Sequence, residues 1–179
     1  MEENLSEKNH SRVRLLVMTG LFAALGYAAT SVLKVPSPIG GYMNLGDTVV
    51  LLGAYLLGPV YGAVAGGVGP ALADLLGGYP IYVPGTLVIK ALMGILAGLL
   101  YRKIGRVGVV GVLVCGFAAE AVMVVGYWLY DGVLVGSLLG SAAGIPSNLI
   151  QAAFGLVAST VLLMALRKSS AVRRQFPAL

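Results

Sequence analysis

The sequence predicts an all-α integral membrane protein, a compact bundle of six transmembrane helices with both termini in the cytoplasm. The chain of 179 residues is 58% hydrophobic and only 11% charged, with a mean hydropathy of +0.92. A small soluble domain cannot bury that much apolar surface, so lipid must solvate much of it. The apolar runs are separated by short turns rich in glycine and proline, and lysine and arginine concentrate in alternate turns and at both ends.

The first predicted helix covers Val13–Leu33 and follows a polar leader, residues 1–12. Its apolar run is long enough to cross a bilayer and more spans follow, which favours an uncleaved helix over a signal peptide. Ala24 and Ala28 lie four residues apart on one face, a pattern that permits close approach of another helix. That helix lies either within the bundle or in a partner protein, and the pattern leaves both open.

The segment Val35–Asp47 lies between two apolar runs and has the composition of a structured loop. Pro36 and Pro38 fix the backbone in conformations that exclude a continuous helix, and Gly40 permits a sharp turn. We therefore predict a cap over a ligand pocket. Its polar side chains that we expect at the pocket are Tyr42, Asn44 and Asp47.

The second predicted helix, Leu45–Leu57, would be only about 20 Å long, which is short for a membrane span. The third, Tyr61–Leu76, is rich in small residues and is predicted to be buried among neighbours, with a kink at Pro70. Residues 77–85 form a second predicted loop with turn residues and two tyrosines, Tyr79 and Tyr82.

The fourth helix is predicted to run to Tyr101, followed by a short basic turn at residues 102–106 and a fifth helix over residues 107–130. Residues 131–144 are ambiguous and fit either a loop or a short re-entrant piece. Pro146–Leu166 has the length of a full span, and residues 167–179 form a basic tail.

The distribution of positive charge predicts the orientation of the six helices. In this topology the opposite loops hold only Lys34, and by the positive-inside rule the basic side is cytoplasmic. The cap and the second tyrosine loop would then lie outside. The basic side carries Lys8, Arg12, Arg14, Arg102, Lys103, Arg106, Arg167, Lys168, Arg173 and Arg174.

Ionisable side chains within predicted spans are candidates for function, because placing them in a membrane is costly. Asp74 and Lys90 are expected at similar depth, either as a neutralising ion pair or as ligand contacts. Glu120 lies near the middle of the fifth helix. Asn148 and Gln151 share a face of the sixth helix, where their amides would read a heterocycle or join two helices.

The tyrosines concentrate at the predicted outer side, where an interfacial belt alone would place them. Tyr42, Tyr79 and Tyr82 also lie on loops that can fold over a pocket and stack on a flat ring. The sequence contains neither a phosphate-binding loop nor a metal-ligand or nucleophile motif. We therefore expect no cofactor, no metal, no enzymatic activity and no ATP hydrolysis by this chain. The net charge of +5 reflects membrane topology, so we expect no nucleic-acid partner.

Four short motifs between Val13 and Leu166 make the chain resemble the substrate-binding S components of energy-coupling factor (ECF) vitamin transporters. They are Gly41–Asp47, Leu57–Gly62, Ala73–Asp74 and Pro146–Asn148. The resemblance implies a binding protein in the cell membrane of a prokaryote that captures a vitamin or vitamin precursor outside. The branch that it resembles takes riboflavin, hydroxymethylpyrimidine or pyridoxine.

The resemblance further implies that uptake requires a separate transmembrane coupling subunit and two ATPase subunits. In such an assembly Ala24 and Ala28 would dock on the coupling subunit. The alternative is a stand-alone carrier or channel in which Asp74, Lys90 and Glu120 form an ion path. The substrate-binding residues expected in the first case are Tyr42, Asn44, Asp47, Asp74, Tyr79, Tyr82, Lys90, Glu120, Asn148 and Gln151.

Overall fold

Helices account for most of the computed structural model, which describes residues 2–105 and 108–176. A two-stranded antiparallel hairpin follows the first helix, and short 3-10 turns at Pro80–Tyr82 and Ala142–Gly144 precede two of the long helices. The elements in chain order are α1 Glu2–Val32, β1 Val35–Pro36, β2 Tyr42–Met43, α2 Gly46–Leu57, α3 Pro59–Leu76, α4 Val83–Lys103, α5 Val109–Val135, α6 Leu138–Ser141, α7 Ile145–Lys168 and α8 Ser170–Gln175.

Five helical segments among the described residues are long and apolar enough to cross a membrane, and α2 is a shorter apolar helix. Large apolar side chains cover the outside of these segments; Val110 is 75% exposed and Phe117 69% exposed. Apolar side chains on the outside of a bundle are stable when lipid surrounds them. This arrangement is the one expected of a membrane bundle. The five segments are Arg12–Val32, Pro59–Leu76, Pro80–Lys103, Val109–Val135 and Leu138–Lys168.

The short helix α2 occupies the centre of the bundle. Of its 12 residues, 11 are buried, and it contacts α1, α3, α4 and α7. Because its neighbours surround it, the loop before it can enter the bundle without exposing backbone polar groups to lipid. The expectation of a helix too short to span alone is confirmed, and among the described residues longer apolar helices surround it.

Small residues let α3 and α4 pack closely, as their composition predicted. A Cβ added at Gly94 would lie 2.9 Å from the backbone of Ala63, closer than carbon atoms can approach. On the other side of α3, a Cβ at Gly69 would lie 3.0 Å from the backbone nitrogen of Tyr27 in α1. The contacts of α3 with its neighbours are therefore made largely by backbone.

Several predicted boundaries differ from the structure. Helix α1 begins at Glu2, within the predicted polar leader, and the tyrosine loop shortens to residues 77–79 before the 3-10 turn. The largest correction concerns residues 131–144: α5 continues to Val135, and α6 and a 3-10 turn lead into α7. Helix α5 ends just before Gly136, whose φ of +72° is a backbone conformation that favours glycine.

Basic residues from α4 and α7 lie at one end of the bundle. The Arg167 guanidinium donates hydrogen bonds to the Tyr101 hydroxyl (2.9 Å) and to the Gly105 carbonyl (2.8 Å). Arg102 lies against the turn at Gly58 between α2 and α3. Arg106 of the predicted basic turn lies outside the described residues, as do Met1 and residues 177–179 of the tail.

A buried ion pair connects α2 to α4. The Lys90 ammonium donates to the Asp47 carboxylate, and each side chain is only 1% exposed. The pairing of Lys90 with Asp74 that helix depth suggested is therefore wrong. Asp47 lies in the first turn of the central helix and reaches the Lys90 side chain, whereas Asp74 turns towards the hairpin and accepts a hydrogen bond from Tyr42.

The ion pair leads to a prediction about stability. Lys90→Met leaves the Asp47 carboxylate buried without its counter-charge, which typically costs about 3–5 kcal/mol. We expect a clear fall in the midpoint of thermal unfolding in detergent. Replacing both partners, as Asp47→Asn with Lys90→Met, should restore most of the loss because no charge then stays buried. Lys103→Met, at an exposed lysine, is the control; equal melting of this variant and Lys90→Met would contradict the assignment.

Candidate functional site

The hairpin between α1 and α2 forms one wall of the candidate site. Val35 pairs with Met43 and Pro36 with Tyr42 across the two strands. The tip is closed by a hydrogen bond from the Ser37 amide to the Gly41 carbonyl (2.8 Å). Pro36 has no amide hydrogen to donate to a strand partner, so the hairpin is short. The predicted cap is thus an ordered turn that carries Tyr42 towards the bundle.

Side-chain contacts fasten this hairpin to α3. The Tyr42 hydroxyl donates a 2.5 Å hydrogen bond to Oδ1 of Asp74. Burial, together with the neighbouring carboxyl group of Asp74, raises the pKa of the Tyr42 phenol, so the hydroxyl keeps its proton. The Lys34 ammonium lies 4.7 Å from the Tyr42 ring centroid and 5.4 Å from that of Tyr79, within cation–π range.

Beneath the hairpin lies a polar cavity whose lining comes from the hairpin and from α1, α3, α4, α5 and α7. The space between its walls is about 470 Å³, including the mouth that opens to solvent. Sites for small molecules combine aromatic walls with a few convergent polar groups, as this lining does. The lining residues are Thr30, Ser37, Gly41, Tyr42, Asn44, Pro70, Asp74, Tyr82, Thr86, Tyr127, Asp131, Asn148 and Gln151.

One amide joins the cavity to the buried ion pair. The Gln151 Oε1 atom accepts from the Asn44 backbone amide (2.7 Å), and its Nε2 atom donates to Oδ2 of Asp47 (2.7 Å). The Asn44 side chain accepts from the Gly46 amide (2.8 Å) at the start of α2. The Gln151 amide and the side-chain oxygen of Asn44, both expected at the pocket, are therefore engaged within the protein. Their polar atoms fix the hairpin to α2 and α7.

Other polar groups of the lining have no such partners. Asn148 makes no side-chain hydrogen bond to any described residue, so its amide is available at the cavity. Oγ1 of Thr30 and Oδ1 of Asp131 are fully buried and have no hydrogen-bond partner among the described residues. In contrast, the hydroxyls of Thr86 and Tyr127 are 2.9 Å apart and satisfy each other. A buried polar atom without a partner is costly, which marks these positions as places for a ligand's own polar groups.

Six of the ten predicted substrate-binding residues lie on this cavity, and four do not. Asp47 and Lys90 neutralise each other beneath it. Tyr79 packs its ring on that of Tyr42, with centroids 4.6 Å apart, outside the lining. Glu120 is 3% exposed, its carboxyl has no partner among the described residues, and Gly155 leaves room for it beside Asp47. The six on the lining are Tyr42, Asn44, Asp74, Tyr82, Asn148 and Gln151.

Sequence reasoning missed five polar residues of the lining: Thr30, Ser37, Thr86, Tyr127 and Asp131. Tyr127 is one of the tyrosines at the predicted outer side for which no pocket role was predicted, and Asp131 falls in the ambiguous segment after the fifth predicted helix. Their spacing of four residues places them on one helical face, which would have indicated a common site had the helix been extended. Thr86 lies four residues before Lys90 in α4 and therefore on the same helical face. This spacing would likewise have indicated that Thr86 lies near the site.

The chemistry available at the cavity is recognition. It offers hydroxyl, amide and carboxyl groups around the tyrosine rings. Among the described residues, no group of three His, Cys, Asp or Glu side chains is placed to hold a metal ion. The lining carries two carboxyl groups, from Asp74 and Asp131, and contains no lysine or arginine among the described residues.

Comparison with known proteins yields relatives that cover most of the chain. Residues 10–168 match the family profile of the ECF-type riboflavin transporter, S component. The thiamine precursor transporter HmpT of Lactococcus lactis is 31% identical over 160 residues, covering 88% of this chain and 89% of that protein. An uncharacterized protein in the gap 3'region of Pyrococcus woesei is 37% identical over 129 residues, covering 72% of this chain and 84% of that protein.

Among solved structures, the chain is similar to the S-component for biotin from an ECF-type ABC transporter. The TM-score is 0.63 at 19% identity, and the match covers 94% of this chain and 98% of the other. At this identity the similarity speaks for the fold only. The family profile and the relative at 31% identity extend over nearly all the helices described above. The chain therefore belongs to the family of ECF-type riboflavin transporter S components.

Proposed function

We propose that this protein is the substrate-binding S component of an ECF-type transporter and captures a small, water-soluble vitamin or vitamin precursor. The observation that carries the proposal is the polar cavity beneath the hairpin of a chain that belongs to this family. Its tyrosine walls suit a flat ring, and the free Asn148 amide suits the ring edge. No step of bond chemistry is required of such a protein.

The proposed substrate class is the one that the family resemblance named: hydroxymethylpyrimidine, pyridoxine or riboflavin. HmpT, a relative over 89% of its length, is a transporter of a thiamine precursor, which supports a pyrimidine. We further propose that Tyr42 and Tyr82 contact the ring. Gln151 and Asn44 act indirectly, since their hydrogen bonds hold the hairpin in position.

Uptake would depend on a transmembrane coupling subunit and two ATPase subunits, with Ala24 and Ala28 at the docking surface. Both alanines are exposed on α1 in the isolated chain. Contact between α1 and α3 instead uses Gly26 and Gly69, where an added Cβ would meet the neighbouring helix. This packing supports docking of Ala24 and Ala28 on a partner protein over packing within the bundle, because the bundle leaves the two alanines uncovered.

A stand-alone carrier based on Asp74, Lys90 and Glu120 has less support. Asp74 is not joined to the other two among the described residues: it binds Tyr42, whereas Lys90 binds Asp47 and Glu120 lies beside Asp47. Glu120 lies away from the polar cavity and borders an apolar groove between α5 and α7. We therefore assign the cluster of Asp47, Lys90 and Gln151 to structure.

The partner proposal predicts that binding and uptake can be separated. Ala24→Phe combined with Ala28→Phe should block close helix approach, abolishing uptake in cells that contain the coupling subunit and ATPases. Titration of the purified variant with hydroxymethylpyrimidine, pyridoxine and riboflavin should give the affinity of the wild type. Ala153→Phe, at an exposed alanine of α7, controls for bulk at the lipid surface. Equal losses of binding and uptake would place the α1 face inside the bundle.

The orientation proposal makes a separate prediction. We propose that the hairpin faces outside and the Arg102 end faces the cytoplasm, since basic residues gather there. In a Cys115→Ala background, Pro38→Cys should react with an impermeant maleimide in intact cells. Lys103→Cys should react only after permeabilisation. The reverse pattern would invert the topology and remove the argument for capture from outside.

A further inference from the structure

The cavity wall formed by the C-terminal part of α5 carries an unusual carboxyl group. Asp131 is 5% exposed, lines the cavity, and has no hydrogen-bond partner for Oδ1 among the described residues. We propose that Asp131 selects the substrate by accepting an N–H hydrogen bond from an amino group or a protonated nitrogen of a single-ring heterocycle. This inference rests on the proposed function and names the ligand chemistry of the same site.

The surroundings of the carboxyl groups at the site single out Asp131. Asp74 already accepts from Tyr42 and has the Lys34 ammonium nearby. Asp47, beneath the cavity, has both Lys90 and Gln151. The group that acts on Asp131 is the neutral hydroxyl of Tyr82, which can bond to the carboxyl but brings no positive charge, and Oδ1 has no hydrogen-bond partner among the described residues. A buried carboxyl in this situation lacks compensation that a donor on the ligand would provide.

The local structure brings Gly144 and the hairpin tip close to this carboxyl and limits its movement. A Cβ added at Gly144 would lie 3.7 Å from Oδ2 of Asp131, and the hairpin residue Ile39 packs against the same glycine. The Ser141 hydroxyl donates to the Trp128 carbonyl (3.1 Å), and the Trp128 indole donates to the Leu138 carbonyl (2.9 Å). These bonds tie α6 to the last turns of α5, so Asp131 sits on a rigid support between α5 and the hairpin tip.

The site is therefore expected to select ligands by their charge and by the position of their hydrogen-bond donors. An anionic vitamin would add a further acidic group to a lining that has two carboxyl groups and no lysine or arginine among the described residues, which is unfavourable. A ring with a carbonyl at the same place would oppose acceptor to acceptor and leave both unpaired. An amino group satisfies the carboxyl, and discrimination based on a buried hydrogen bond is strong because the wrong ligand leaves that group unpaired.

The test compares hydroxymethylpyrimidine, which carries a ring amino group, with the analogue that has a carbonyl oxygen in its place. Calorimetric titration of the wild type should show tighter binding of the amino compound. Asp131→Asn replaces an acceptor by an amide that can also donate. It should weaken binding of the amino compound by about 5- to 150-fold, the range for one lost buried hydrogen bond, and should reduce or reverse the preference.

Asp74→Asn is the matched control, because Asp74 is on the same lining but is satisfied by Tyr42. It should change the affinities for the two compounds by similar factors and leave their ratio intact. Asp131→Ser, a smaller replacement, should also lose the preference and serves if the asparagine variant fails to fold, as judged by thermal unfolding.

The outcomes distinguish this inference from the proposed function. If the wild type binds riboflavin or pyridoxine but prefers neither pyrimidine, or if both Asp131 variants keep the full preference for the amino compound, the assignment of Asp131 is wrong and the transporter function stands. If the wild type binds none of the four compounds, the proposed function and this inference both fail.

Discussion

The ion pair between Asp47 and Lys90 is the contact on which the rest of the structure depends. It lies at the start of α2, where the hairpin ends, and it joins that point to α4. Gln151 adds α7 by donating to the same carboxylate, and its other end holds the backbone of Asn44. Two charges buried at 1% exposure need these hydrogen bonds to be stable in a low-dielectric interior. The same bonds therefore set the position of the hairpin and of the wall of the cavity.

The short central helix explains how a polar cavity can exist in so apolar a chain. A span of full length would bring the preceding loop to the membrane surface, whereas α2 begins within the bundle, beneath the hairpin. Neighbouring helices shield this irregular backbone from lipid, which is the condition for tolerating it at that depth. Outward-facing valines, leucines and phenylalanine contact lipid, while carboxyl, amide and hydroxyl groups collect on the inside.

Sequence reasoning predicted the elements better than the contacts between them. Hydropathy and proline placement gave every long helix and the short second one, because lipid imposes a minimum length on apolar runs. Hydropathy and proline placement could not predict which carboxylate pairs with Lys90. Depth along a helix suggested Asp74, whereas the partner in the structure is Asp47, because the choice depends on the direction of each side chain. Asp131 was missed because Gly132 suggested a loop. In the bundle this glycine packs against Leu138, and α5 continues to Val135, just before Gly136.

The central claim is that the cavity under the hairpin holds a small heterocycle that donates hydrogen bonds. The most direct measurement is mass spectrometry of the small molecules released by denaturing protein purified from cells grown in rich medium. The account predicts one stoichiometric, water-soluble, single-ring compound with an amino group or basic ring nitrogen, absent from protein carrying Asp131→Asn with Asn148→Ala. Release of an anionic vitamin, or of the same compound in equal amount from the double variant, would contradict it.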